Sequence, residues 1–231
     1  MTTSPLTERP ARQRPGARSG WGPAVGLILL SAIPLTAGAL RLVQVAGGPK
    51  LFPEDPRFDA FPVVLLVHIV GSAVFAFVGA LQFVRRFRRR PARWHRRAGR
   101  VLVVAGLLVV ASALWLTLFY DAQPGSGRIL YLFRLAVAPA MAACLVLGFT
   151  AIRRRDIASH RAWMIRAYAL GLGAGTQIFT EGFGQAIFGE HVVAGDLEKG
   201  VAWLVNLAIA EWVIRRPAVR RMRVARVGAT S

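Results

Sequence analysis

The 231-residue chain is 55% hydrophobic, yet it carries 30 basic against 11 acidic residues and a formal net charge of +19. A mean hydropathy of +0.46 at that charge excludes an ordinary soluble domain. It also excludes a nucleic-acid binder, which would interleave basic and aromatic residues on a water-exposed fold, whereas these arginines sit between long apolar runs.

Residues 1–20 are rich in Pro, Arg, Thr and Ser and read as a disordered basic cytoplasmic tail. The apolar stretch that follows is long and lacks a small-residue cleavage site, so it reads as a first spanning helix, not as a cleaved signal. Six apolar stretches approach or exceed the roughly 20 residues that cross a bilayer: 22–46, 62–84, 98–119, 128–152, 163–188 and 198–214. The expected fold is all-α, a polytopic bundle of six transmembrane helices over residues 21–216, with a basic cytoplasmic tail at 217–231. The single cysteine, Cys144, lies inside the fourth stretch, so one chain can build neither a disulfide framework nor a cysteine metal site, and packing is its expected role. Gly22 with Gly26, and Gly171 with Gly175, have the spacing of closely packed membrane helices.

Charge supplies an independent test of this count. Arginines precede the first stretch, fill residues 85–100 between the second and third, flank the join of the fourth and fifth at 153–166, and follow the sixth. Arg41, Lys50, Arg57, Arg128, Arg134 and Lys199 are the exceptions among the 30 basic residues. The alternation places both termini in the cytoplasm of a bacterial inner membrane by the positive-inside rule. The same arginines suit anionic lipid headgroups, each worth about 1 kcal/mol near the surface.

Arg41, His68, Arg134 and Glu181 are ionisable residues inside the stretches, and each needs a partner or a hydrated cavity. Counted from the span midpoints at about 1.5 Å per residue, they fall at one depth, roughly 8–10 Å to the outer side of centre. Convergence in the bundle interior would let Glu181 neutralise an arginine. One reading is a structural ion pair that locks helices, with the arginines snorkelling. The other is a polar pocket opening outward, and two arginines against one carboxylate favour an anionic ligand there.

A second constellation opens two helices at the cytoplasmic face. Trp94, His95, Arg96, Arg97 and Arg100 begin the third stretch, and His160, Arg161, Trp163 and Arg166 begin the fifth, hinting at a duplicated helical pair. Imidazole and guanidinium beside free helix N–H groups favour an anion and disfavour a divalent cation, so no metal site is expected. Glu211, near the inner end of the sixth stretch, is a candidate partner for Arg100 or Arg166. The structural reading makes these residues interfacial anchors, with Trp94 and Trp163 at headgroup level.

With His68 ahead of Gly71, Gly79 with Gln82 and Phe83, His95-Arg96 to Gly99-Arg100, and His160-Arg161 with Trp163, Met164 and Arg166, the chain resembles a bacterial family of predicted membrane proteins, domain of unknown function 2306. The resemblance covers the second to the fifth stretch and implies fold and membrane location, but no activity. The chain departs from it at Thr176, Gln177, Glu181 and Gln185, which are more polar than that family leads one to expect.

Three functions compete. Binding or transport of a small anionic ligand would use the outer level and the inner His-Arg motifs as two ends of one route, with Gly171, Gly173 and Gly175 loosening the fifth helix. A haem- or quinone-linked electron carrier would use His95 and His160 as a facing pair. A non-catalytic scaffold or lipid-binding protein would need neither. No nucleophile–base arrangement or phosphate loop stands in the sequence, which disfavours a hydrolase.

Overall fold

A computed structural model describes residues 21–53, 62–84, 92–123 and 125–228. The expected tail at 1–20 lies outside the described residues, and of residues 217–228 only the backbone is described. Seven helices and no strand are present among the described residues: α1 Gly22–Val45, α2 Val63–Gln82, α3 Ala92–Phe119, α4 Arg128–Arg153, α5 Ile157–Gly171, α6 Gly173–Phe188 and α7 Val192–Gly228. Four stretches, Gly22–Val45, Val63–Gln82, Arg93–Phe119 and Arg128–Arg153, are long and apolar enough to cross a membrane.

The fifth stretch departs from the expectation of one continuous helix: α5 ends and α6 begins at Leu172. Glycine is the weakest helix former after proline, and Gly171, Gly173 and Gly175 flank the break. Each is also a close contact: Gly173 lies against the Trp203 indole, Gly171 against the Phe75 ring, and Gly175 against the carbonyl of Leu30. That carbonyl is available because Pro34, four residues on, has no N–H to offer it. Gly22 and Gly26, by contrast, face open space, so only the second of the two expected glycine pairs packs. The last helix begins at Val192, earlier than expected, and continues to Gly228 through the residues read as a tail.

The packing order is a ring with one helix inside it. α1 packs on α2, α2 on α3, α3 on α4, α4 on α7, α7 on α6 and α6 back on α1, while α5 touches α2, α4 and α7. α5 therefore fills the axis over the half that holds most of the described arginines, those of residues 93–100, 153–166 and 215–216. Its Tyr168 packs on Gly79, stacks on Phe75 and Phe83 at 5.6 and 5.4 Å, and donates to the Ala76 carbonyl at 2.8 Å. Phe75, Met141, Cys144, Leu145 and Leu170 complete this core, and Cys144 is buried in it as packing requires. In lipid such contacts stabilise by close packing more than by expelling water, which is why small residues sit at the crossings. A methyl added at Gly106 would lie 2.7 Å from Leu145 Cδ1 and 2.8 Å from Phe75 Cε2.

At Leu172 the chain leaves the axis, and α6 joins the ring between α1 and α7. No described segment takes its place along the axis beyond that point.

Candidate functional site

The unfilled half of the axis is a cavity of about 760 Å3, within the range of small-molecule sites. Its floor is Leu170, Gly171 and Leu172, where α5 ends, and it extends to residues 120–123, Ser126 and Gly127 at the end away from the arginine-rich starts of α3 and α5. Irregular backbone at membrane depth is tolerated where it lines such a cavity.

Arg41, His68 and Arg134 all line it, from α1, α2 and α4. The Arg41 guanidinium donates to the Pro53 carbonyl at 2.9 Å and lies 5.0 Å from the centre of the Phe52 ring. Gln44 holds Phe52 in place, accepting from its amide and donating to its carbonyl, each at 2.9 Å. The His68 Nδ1 is 3.0 Å from Ser112 Oγ, and that hydroxyl already has helix carbonyls to donate to, Leu108 at 2.7 Å and Val109 at 3.0 Å. Asp121 also lines the cavity, so two guanidinium groups share the lining with one carboxyl group.

Glu181 does not join them. Its carboxylate pairs with Lys199 Nζ at 2.7 Å on the α6–α7 interface, away from the cavity. The break at Leu172 is the reason: α6 departs from the axis and carries Glu181 to α7, so the expected pairing with an arginine is replaced by one with Lys199. Gln177, which also lines the cavity, donates to the Lys199 carbonyl at 3.3 Å. Both oxygens of Glu198 are buried near Gly184 without a hydrogen-bond partner among the described residues.

The two His-Arg helix starts are not equivalent. On α3, His95, Arg96 and Arg100 are exposed. On α5, Arg161 is exposed, but His160 Nδ1 donates to the Gly148 carbonyl at 2.8 Å, and Arg166 forms a two-pronged pair with Glu211, Nε to Oε1 at 2.5 Å and Nη2 to Oε2 at 3.1 Å. Arg166 also stacks on Trp163 at 4.7 Å, and Arg215 reaches Glu211 at 3.7 Å. Of the two partners expected for Glu211, the structure shows Arg166. The α5 start is anchored by Asp156, whose carboxylate caps the helix by accepting from the Ser159 amide at 3.0 Å. The hydrogen bonds from Ser159 hold that carboxyl below the ordinary aspartate range.

Two residues that the sequence did not single out hold the frame of the cavity. Asp196, on α7 and 1% exposed, accepts the Gly127 amide at 2.9 Å and the Leu130 amide at 3.0 Å, so a carboxylate from another helix caps the start of α4. Asn206 donates to the Ala169 carbonyl at 3.1 Å and accepts from Thr176 Oγ1 at 2.9 Å, spanning the α5–α6 break. An Asn in an apolar run was a visible signal, since lipid leaves an amide unsatisfied. Asp196 left none, because its position beside the outer connection reads as solvent. The cavity holds one histidine, His68, and no group of three or more His, Cys, Asp or Glu suited to a metal ion occurs among the described residues.

Comparison with curated proteins and with solved structures finds no match. The model of one family, described as predicted membrane protein (DUF2306), matches residues 65–214, which takes in α2 to α6, most of α7, and both Arg134 and the break at Leu172. Apolar helices of spanning length, polar side chains gathered on an axial cavity, and this match over most of the chain agree: the protein is a membrane protein and belongs to the DUF2306 family.

Proposed function

We propose that the protein binds a small anionic ligand in the axial cavity and that the cavity is one end of a transport route. The observation that carries this reading is the convergence of Arg41, His68 and Arg134, from three helices, on one cavity floored by a broken helix. Membrane transporters place substrate sites at such breaks, and a charged group at that depth is stable only when paired or hydrated.

The reading includes six crossings, with α5 and α6 together forming the fifth, and both termini in the cytoplasm of a bacterial inner membrane. The arginine-rich end then meets anionic headgroups through exposed Arg93, Arg96, Arg97 and Arg100. A cysteine introduced at Glu190 is expected to react with an impermeant maleimide added outside intact cells; labelling only after the cells are opened overturns the orientation.

Ligand binding is tested by thermal unfolding of the full chain in lipid nanodiscs with chloride, phosphate, acetate and octanoate. At a hundredfold excess over its dissociation constant, a true ligand adds about 2.7 kcal/mol. Arg134→Leu is expected to remove that gain while the protein still inserts. No stabilisation by any of the four anions refutes the reading.

A further inference from the structure

Polarity is unevenly distributed along the cavity. The ionisable groups, Arg41, His68, Arg134 and Asp121, sit toward the mouth. Deeper in, the lining is mostly apolar, with Leu35, Val110, Val137, Ala138, Met141 and Leu170 beside the Ser72 hydroxyl and the Trp203 indole. The deep Ser31 hydroxyl is turned back on its own helix, donating to Leu27 at 3.0 Å. Arg134 and Met141 are two turns apart on α4, about 10 Å along its axis. His68 and Ala76, both lining residues on α2, are separated by about 12 Å.

An inorganic anion would engage only the charged level and leave the apolar depth below it unfilled. Apolar space of that kind holds water poorly and takes apolar ligands. We infer that the ligand is an amphipathic anion: one compact anionic head, carboxylate or phosphate monoester, on an unbranched apolar chain that reaches the floor at Leu170 and Met141. The inference rests on the anion reading above and names its ligand class. The head would meet the Arg41 and Arg134 guanidinium groups at the mouth, and the chain would be of medium length, as the 10–12 Å depth dictates.

The test is direct binding of unbranched carboxylates from acetate to palmitate, of alkyl phosphates of matching length, and of inorganic phosphate, to the full chain in nanodiscs. Affinity is expected to rise about fourfold per methylene until the chain meets the floor, and then to stop rising. Ala138→Phe, midway on α4 between Arg134 and the floor at Met141, is expected to shorten the length at which the rise stops. Val110→Phe, on α3 at similar depth, makes the same test should Ala138→Phe fail to fold. Arg134→Leu is expected to weaken every chain length.

Preference between the carboxylate and phosphate series identifies the head, as a free fatty acid or a lysophospholipid-like ester, and either series with a length limit upholds the inference. Phosphate or acetate binding as tightly as octanoate overturns it and leaves the anion reading standing. A rise without limit that ignores Arg134→Leu is partition into lipid and overturns the inference. No binding by any of these anions overturns both.

Discussion

Asn206 on α7 donates its side-chain amide to the carbonyl of Ala169 on α5 at 3.1 Å, one turn before the helix breaks. In an unbroken helix that carbonyl would accept from the amide of Gly173. The same Asn206 accepts from Thr176 Oγ1 at 2.9 Å on the far side of the break. One side chain thus makes up for the backbone bonding that a discontinuous helix forgoes, and the discontinuity is what leaves the half of the axis beyond Leu172 open.

Replacing Asn206 with Leu leaves the Ala169 carbonyl and the Thr176 hydroxyl unsatisfied in an apolar setting. A loss of about 1–3 kcal/mol is expected. Reversible unfolding in mixed micelles measures it, and a variant as stable as the parent would show that the break does not depend on this bridge.

Asp196 caps α4 from a different helix, with two amides on one buried carboxylate. Asp196→Ala is expected to cost about 1.5–3 kcal/mol, because hydrogen bonds to a charged group are the stronger kind and both donors are orphaned. Asp196→Asn, which keeps one acceptor oxygen, is expected to lose less. Hydrogen exchange should localise the Asp196→Ala effect to the first turn of α4, and uniform loss across all helices would contradict the capping role.

Arg166 and Glu211 form a partly buried pair, 25% and 31% exposed. Removing one partner strands a charge, whereas removing both does not. The separate losses from Arg166→Leu and Glu211→Leu are expected to sum to more than the loss in the double variant, with a coupling of about 1–3 kcal/mol. Additive losses in the double-mutant cycle would reduce the pair to two unrelated surface groups.

Much of this was legible along the chain. Spanning length and apolarity foretold the four long helices, and Arg41, His68 and Arg134, which helical rise puts at one level, line one cavity. The glycines at 171, 173 and 175 marked where the fifth stretch would weaken. The partner of Glu211 came within a choice of two, because Arg100 and Arg166 have equal claims by depth.

Depth is a local quantity: it needs only residue number and rise per residue, so the amino-acid sequence determined the membrane class, the one-sided arginines and the level of each buried charge. Azimuth is not local. Whether a side chain faces the axis, a neighbour or lipid depends on how each helix is rotated against its neighbours, and here on the break at Leu172. That break carried Glu181 away to Lys199, placed Asn206 across the gap, and left Arg41, His68 and Arg134 around an open axis. Tertiary packing alone decided these relationships, because close contacts at Gly173 and Gly175 set where α6 goes, and no periodicity in the chain records the residues it will meet.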